Sequence, residues 1–144
     1  MSIVLFNKLH KKYLSFLFEI RNKPYVRKNS TNLKKTYFKK HVSWVSNFIK
    51  KPSNKIYIIK KNKFNAGYIR IETRGKIKKL SWALLKKYQK KGLMTKNLSY
   101  LTSNKNFSYR ALIKKNNISS INMAINIGFK QIYIRGNFLY FKKY

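Results

Sequence analysis

Cysteine is absent from this chain of 144 residues, and proline (two), glycine (five) and acidic side chains (two) are scarce. Without cysteine there is no disulfide framework, thiolate nucleophile or cysteine-based metal site. The two histidines, His10 and His41, are too far apart in sequence to suggest a metal cluster, so we expect no metal. No apolar run approaches the ~20 residues of a membrane-spanning helix. We therefore expect neither membrane association nor a signal peptide, and a cytoplasmic location.

The scarcity of acids leaves a strong positive charge. Lysine and arginine number 35 against Glu19 and Glu72, which gives a formal net charge of +33. One interpretation is a nucleic-acid-binding surface. The other is compositional drift, because Lys, Asn, Ile, Phe and Tyr, which AT-rich coding favours, are all abundant. The lysines are scattered rather than gathered in a tail, so we favour drift. We expect non-specific polyanion binding at low salt, without specific nucleic-acid recognition.

The apolar residues that are present can form a core. Hydrophobic residues make up 44% of the chain and aromatic residues 16%, and the length fits a single domain over 1–144. Hydrophobic periodicity predicts the following elements: a strand at 2–6, helices at 11–21 and 34–50, an antiparallel meander at 55–60, 66–73 and 77–85, a helix at 94–101, a strand at 107–113, a helix at 118–127, and strands at 130–135 and 137–142. Periodicity by itself predicts one α+β domain.

The segment Gln89-Lys90-Lys91-Gly92-Leu93-Met94 lies where a predicted strand gives way to a predicted helix. Such a turn directs successive backbone N–H groups into a concavity at a helix N-terminus, where unsatisfied donors and the helix dipole favour anions. Gly92 allows close backbone approach to a ligand. The segment therefore predicts a seat for a pyrophosphate.

A second pattern follows downstream. It runs from Ala111 through Asn117 and Ser120 to Gly128-Phe129, and it predicts a strand, an N-capped amphipathic helix and a closing strand. Asparagine is a good N-cap, and glycine suits the left-handed residue that ends a helix.

In this order the two patterns resemble the motifs of the GCN5-related N-acetyltransferases (GNATs). The resemblance implies a single-domain acyl-CoA N-acyltransferase fold with a mixed, mostly antiparallel sheet flanked by helices. It also implies acetyl-CoA as co-substrate, with the pantetheine along the splayed edge of the strand before the loop. The residues that it implies for acetyl-CoA binding are Leu84, Gln89, Lys90, Lys91, Gly92, Leu93, Met94, Thr95, Asn117 and Ser120.

The N-terminal third narrows the resemblance. The run from Glu19 to Arg27, followed by His41-Val42-Ser43-Trp44, resembles the signature of acetyltransferases that act on nucleotide-linked amino sugars, as in pseudaminic-acid-type pathways. It implies an acceptor site formed by Arg21, Asn22, Arg27, His41 and Trp44, in which a guanidinium pairs with a diphosphate or carboxylate.

Each of these residues also has a structural interpretation. Arg21 or Arg27 either contacts the acceptor or pairs with Glu19, and Asn22 either contacts a sugar or caps a helix. Trp44 lies on the apolar stripe of its helix, which favours a core position. His41 is either a general base or a buried histidine at the core edge.

The implied reaction is direct acetyl transfer to a primary amine, which needs no covalent intermediate. Glu72 and His41 are the candidate bases, although a salt bridge explains Glu72 equally well. Two departures from the motifs are visible: Met94 replaces a small residue of the loop, and Ala124 replaces a tyrosine that protonates the leaving thiolate in many GNATs. Tyr88, Tyr133 and Tyr140 are possible substitutes for it.

Three functions therefore compete. The first is N-acetylation of a nucleotide-linked amino sugar, a small-molecule amine. The second is acetylation of ribosomal or other protein N-termini, because a fold does not determine a substrate. The third is a non-enzymatic, basic RNA-binding protein that retains the fold. No sequence feature indicates the oligomeric state.

Overall fold

The computed structural model describes residues 3–6 and 11–144. In chain order the elements are β1 (Ile3–Phe6), α1 (Lys11–Arg21), α2 (Pro24–Arg27), α3 (Phe38–Lys50), β2 (Lys55–Lys61), β3 (Phe64–Arg74), β4 (Ile77–Leu84), a 3₁₀ turn (Lys86–Tyr88), α4 (Leu93–Leu101), β5 (Ser108–Lys114), α5 (Ile118–Asn126), β6 (Lys130–Arg135) and β7 (Phe138–Lys143). His10 and Ser2, on which two predictions rest, lie outside the described residues.

These strands form one sheet in the order β1-β2-β3-β4-β5-β7-β6. Every neighbouring pair is antiparallel except β4 and β5, which are parallel. The predicted mixed, mostly antiparallel sheet is confirmed, as is the meander of β2, β3 and β4. Short turns join the meander strands, and the connection between β4 and β5 contains α4, as a parallel crossover requires.

Two hydrophobic clusters sandwich the sheet. One joins α4 and α5 to strand residues such as Ile69, Leu80 and Phe141. The other joins α1, α2 and α3 to Ile56, Ile58 and Ala83. Alternate side chains of a strand point to opposite faces, so one sheet supplies both clusters. The cavity described below lies at the centre of the sheet and is lined by residues of both helix layers.

One predicted helix boundary is wrong. The helix predicted over 11–21 ends at Arg21 as expected, and Pro24 begins the short helix α2, where proline's missing N–H costs no hydrogen bond. The helix predicted from Lys34 begins at Phe38. Residues 28–37 instead form a loop, held by side-chain hydrogen bonds that no sequence period reveals.

Candidate functional site

The centre of the sheet contains a gap between β4 and β5. The two strands pair only from Ile77 with Ser108 to Leu80 with Ala111, and β5 then continues along β7. Lys76 accepts a backbone hydrogen bond from Ser108 on the β5 side, whereas Leu85 donates to Ala66 on the β3 side.

Backbone groups alternate in direction along a strand. The N–H and C=O groups of Trp82 and Leu84 therefore point into the gap, beyond the last residue that β5 pairs. This edge can hydrogen-bond an extended ligand as a strand would. It includes Leu84, which the resemblance implied.

The loop after β4 presents backbone donors at the wide end of the gap. Gly92 is the N-cap residue of α4 with φ 76°, and Lys90 also has a positive φ of 62°. The N–H groups of Lys90, Lys91 and Gly92 meet no hydrogen-bond acceptor in the described part of the chain. Left-handed residues in such a turn create an anion-binding concavity, and the α4 dipole adds to it.

One residue of this loop and one of the first turn of α4 have roles that the sequence did not predict. The Gln89 side chain donates from Nε2 to the Leu84 carbonyl at 2.9 Å, so it fastens the loop to β4. Met94 is only 2% exposed and belongs to the α4–α5 core cluster. Its thioether therefore packs inward and does not fill the concavity, although Met94 contributes to the cavity wall. Leu93 and Thr95, also predicted, line the cavity beside it.

The N-terminus of α5 faces the same gap. Asn117 caps α5, because its Oδ1 accepts from the Ser120 N–H at 3.3 Å. The Ser120 hydroxyl oxygen accepts in turn from the Trp82 indole Nε1 at 3.3 Å. The indole thus reaches from β4 to α5 across the gap. All three residues line the cavity.

The β4–β5 gap, the loop after β4 and the N-termini of α4 and α5 all open into one cavity of about 1360 Å³. It extends to the loop at 28–37 and to α3. Its lining is cationic; the basic residues are Arg21, Lys28, Lys34, Lys35, Lys40, Arg70, Lys79, Lys86 and Lys90. Neither acid of the chain, Glu19 or Glu72, lines it. The cavity therefore favours anionic ligands.

The wall beneath α3 contains two polar atoms without partners. His41 is 8% exposed, and its Nε2 has no hydrogen-bond partner among the described residues; the same holds for the buried Nη1 of Arg21. Burial, followed by the positive charge of Arg21, lowers the pKa of His41 from 6.5 to about 4. Its imidazole is therefore neutral at pH 7. Buried polar groups are normally paired, so these two atoms are available to a polar ligand or to water.

A row of three stacked rings lies beside these two atoms. The ring of His41 stacks on Trp44 with centroids 6.4 Å apart, and Trp44 stacks on Phe48 at 5.3 Å. The Arg70 guanidinium lies 4.9 Å from the Trp44 centroid and donates to the Ser81 hydroxyl. Trp44 is 44% exposed and lines the cavity. The prediction of a core position for Trp44 is wrong, because the apolar stripe of α3 extends past the core to the cavity rim.

Two residues predicted to contact an acceptor instead hold the loop. The Asn22 amide donates to the Thr36 carbonyl at 3.0 Å and accepts from the Thr36 N–H at 2.9 Å. The Arg27 guanidinium donates to the carbonyls of Asn22 and Leu33. Neither Asn22 nor Arg27 lines the cavity. The Asn22 side chain thus holds the backbone at Thr36, and Arg27 holds the backbone at Leu33 and Asn22. The Asn22 side chain does not cap α1, although its backbone N–H donates to the Phe18 carbonyl at 3.2 Å.

The carboxylates also lie elsewhere than predicted. Glu19 pairs with Lys23 at 3.6 Å and not with Arg21 or Arg27. Glu72 pairs with Arg74 at 3.1 Å and lies opposite Lys79, outside the cavity lining and where β4 and β5 are still joined. The structure therefore does not bring Glu72 to the gap, and its salt-bridge interpretation holds.

The three tyrosines considered as proton donors are also elsewhere. Tyr88 is buried, and Tyr133 stacks on Tyr140 with centroids 4.5 Å apart; none of the three lines the cavity. Sequence reasoning missed Arg70, Trp82 and the contribution of residues 28–37 to the cavity lining. An arginine amid the apolar residues of β3 was the one available signal for Arg70.

Comparison with known proteins agrees with this geometry. No protein-family model matches the sequence, and a search of curated proteins finds no match. Solved structures do match. The ribosomal L7/L12 α-N-protein acetyltransferase RimL, in complex with coenzyme A, superposes with a TM-score of 0.80 at 15% identity, covering 99% of this chain and 94% of that one.

Two further structures match over similar lengths. For the microcin C7 self-immunity acetyltransferase MccE, in complex with acetyl-CoA and AMP, the TM-score is 0.75 at 18% identity, with 99% and 92% of the chains covered. For spermidine N-acetyltransferase from Vibrio cholerae, in complex with CoA and spermine, it is 0.77 at 13% identity, with 99% and 95% covered.

This chain has the GNAT fold. The predicted fold class is thereby confirmed. Identities this low leave the acceptor undecided, because one fold hosts many substrates. Within the GNAT fold of the described residues, no helix is long and apolar enough to cross a membrane. No cluster of His, Cys, Asp or Glu in that same part could hold a metal ion.

Proposed function

We propose that the protein is an acetyl-CoA-dependent N-acetyltransferase. The observation that carries the proposal is the gap between β4 and β5, which leads directly to unpaired backbone donors at Gly92. The residues present fit the coenzyme. The N–H groups of Lys90, Lys91 and Gly92 would hold its diphosphate, and the backbone edge of Trp82 and Leu84 would pair with its pantetheine amides.

Proton removal from the amine needs no dedicated base in this cavity. Glu72 lies outside it, and the low pKa of His41 makes that imidazole a weak base. The surrounding lysines and arginines disfavour an ammonium ion and so lower the pKa of a bound amine. The neutral amine can then attack the thioester, while the cavity walls fix its orientation.

The acceptor is, within this proposal, a primary amine that also carries an anionic group, most simply a nucleotide-linked amino sugar. The cationic lining and the unpaired Nη1 of Arg21 support an anion. The exposed ring of Trp44 offers a face on which a base could stack. A polyamine such as spermidine would meet repulsion in the same cavity.

The chain offers a separate reporter for each half of the cavity, because its two tryptophans lie in different halves. Trp82 borders the gap. Trp44 lies on the part of the cavity wall that α3 and residues 28–37 form, which we call the acceptor wall. In Trp44→Phe, fluorescence should change on adding acetyl-CoA; in Trp82→Phe, it should change on adding the acceptor. Failure of acetyl-CoA to bind saturably in moderate salt would refute the proposed enzyme.

An acceptor panel tests the finer part of the proposal. We expect acetylation of nucleotide-linked amino sugars at a higher kcat/KM than of the free amino sugar, spermidine or peptides with a free N-terminus. Preference for the peptides would favour a protein acetyltransferase. Tight, sequence-selective RNA binding without acetyl-CoA binding would favour an RNA-binding protein that retains the fold.

A further inference from the structure

The hydrophobic cluster of α1, α2 and α3 lies over one side of its sheet face. Its strand residues come from β2, β3 and β4, such as Ile58, Tyr68 and Ala83, and within the described part of the chain none comes from β5, β6 or β7. Leu139 and Phe141 of β7 pack on the opposite face, with α4 and α5. Because side chains alternate along a strand, residues 138, 140 and 142 point to the face beyond the α1–α3 cluster.

Four basic residues lie side by side across this face. The strand register places one residue of each strand in a single row, in the order Lys79, Arg110, Lys142 and Lys130. Neighbouring strands are ~4.8 Å apart, so this basic row spans ~14 Å. The lysines are exposed and the arginine is half-buried. Like charges opposite each other destabilise a sheet, so a bound anion would relieve the repulsion.

The nearby acid does not neutralise the row. Glu72 of β3 lies opposite Lys79 at one end, but its carboxylate pairs with Arg74 at 3.1 Å. The other three strands contribute only cations. The basic row is therefore a local concentration of positive charge within a chain that is cationic throughout.

A tyrosine pair lies next to the basic row. Tyr140 of β7 and Tyr133 of β6 are opposite each other, and Tyr140 is two residues, ~7 Å, from Lys142 along the strand. The two rings stack with centroids 4.5 Å apart. Tyr133 is 49% exposed and belongs to the edge strand, so a further ring can extend the stack. On the far side of the pair, Arg135 donates to the Tyr140 hydroxyl at 3.5 Å.

Adjacent rows of cations and aromatic rings have the chemistry that binds single-stranded nucleic acid. The cations hold phosphates, and a tyrosine ring stacks on any base. A duplex encloses its base faces in its own stack, whereas a single strand can present them. An acidic polypeptide would use the basic row and leave the rings without a stacking partner.

We propose that this face binds single-stranded nucleic acid, with phosphates along the basic row and a base stacked on Tyr133. The inference is independent of the proposed function, because Lys130, Lys142 and the tyrosine pair lie outside the cavity. It gives the affinity for polyanions, which the net charge predicts, a preferred location. Because the contacts are to phosphates and base faces, binding should tolerate changes of base sequence.

Matched charge variants test the basic row. The probe is fluorescently labelled oligouridylate rU10, which contains no adenine and so does not mimic the coenzyme. In Lys130→Gln/Lys142→Gln the slope of log K against log salt should become shallower by ~1.4, since each phosphate contact of a single strand contributes ~0.7. The control Lys63→Gln/Lys96→Gln removes the same charge from the β2–β3 turn and from α4 and should keep the slope. Equal changes in both double variants would refute a localised site.

Ring variants test the stacking. Tyr133→Ala should weaken rU10 binding ~5-fold to ~150-fold, the loss of one base stack, whereas Tyr133→Phe keeps the ring and should bind as the wild type does. Tyr100→Ala removes an exposed tyrosine from α4 and should have no effect. Thermal unfolding should confirm that each variant is folded. Wild-type affinity in Tyr133→Ala would overturn the stacking role.

Competition separates nucleic acid from other polyanions. Unlabelled rU10 should displace the probe at a lower concentration than polyphosphate or polyglutamate of equal charge. Equal displacement by polyphosphate would show that only charge is recognised, and equal displacement by polyglutamate would assign the face to an acidic polypeptide; either result would overturn the proposal. Acetyl-CoA titration of Lys130→Gln/Lys142→Gln should give the wild-type Kd, because the acetyltransferase site lies elsewhere.

Discussion

Single residues determine whether this gap can hold an anion and whether its wall can hold an acceptor. At Gly92 the decisive property is the backbone. A Cβ there would meet no atom within 4 Å, but φ is +76°. The residue is therefore glycine because of its left-handed conformation, and the space above it stays open for a ligand.

Replacing Gly92 should separate strain from function. Gly92→Ala should cost about 1–2 kcal/mol of stability through its left-handed φ, and Gly92→Glu should also abolish acetyl-CoA binding by placing a carboxylate against the diphosphate. Gly136 is the matched control: its φ is +59°, its Cβ position is equally open, and it lies outside the cavity. Calorimetric titration should show acetyl-CoA binding by Gly136→Glu; equal loss in both variants would contradict the assignment of the loop.

His41 should make stability depend on pH. Its pKa is about 4 in the folded protein, against an ordinary 6.5, so the unfolded chain takes up a proton first as pH falls. The free energy of unfolding should therefore decrease from pH 6.5 to pH 4, by up to about 3 kcal/mol for this group. In urea titrations, His41→Phe should show a flatter dependence across that window. An unchanged slope would show that the imidazole titrates normally.

Among the elements, the loop at 28–37 has the least regular structure and the largest share of the acceptor wall. Side chains of α2 and of the turn before it hold the loop: Asn22 bonds Thr36 twice, and Arg27 donates to the Leu33 carbonyl. The β4–β5 gap, in contrast, is maintained by strand pairing. The two halves of the cavity should therefore respond to different substitutions.

Asn22→Ala should loosen the acceptor half alone. Losing two hydrogen bonds should cost about 1–3 kcal/mol, at roughly 0.5–1.5 kcal/mol each, and the acceptor KM should rise while the Kd for acetyl-CoA stays unchanged. Steady-state kinetics with the best acceptor of the panel, beside acetyl-CoA titration, measures both. Asn106→Ala changes an exposed asparagine remote from the cavity and should alter neither. A matching rise in the Kd for acetyl-CoA would show that the halves are not independent.

At the scale of the whole molecule, the net charge and the fold contribute separately to ligand binding. The basic residues behind the net charge of +33 are spread along the chain, whereas the site depends on a few backbone groups. Repulsion among the cations also destabilises the compact state. The fold tolerates it because two hydrophobic clusters cover both faces of the sheet.

Salt should distinguish polyanion binding from coenzyme binding. A random-sequence RNA should bind at 50 mM salt and lose affinity by ~10³ or more at 200 mM, because many counterions are released on binding. Acetyl-CoA, with few phosphates and a shaped gap, should lose far less affinity. Filter binding and calorimetry over the same salt series measure both. RNA affinity that resists salt would favour a dedicated RNA-binding function.

Sequence alone determined the order and type of nearly all elements, because hydrophobic periodicity and caps such as Asn117 and Gly92 act over a few neighbouring residues. It also predicted the loop at Gly92 and grouped Arg21, His41 and Trp44, all of which line the cavity. The sequence did not reveal which groups the polar side chains bond. Glu72, Asn22 and Arg27 have the right chemistry for a site, yet they bond elsewhere, because strand register and loop closure join residues distant in sequence. Only the tertiary structure decided that β4 and β5 part after Leu80, and that Trp82 meets Ser120 across the opening.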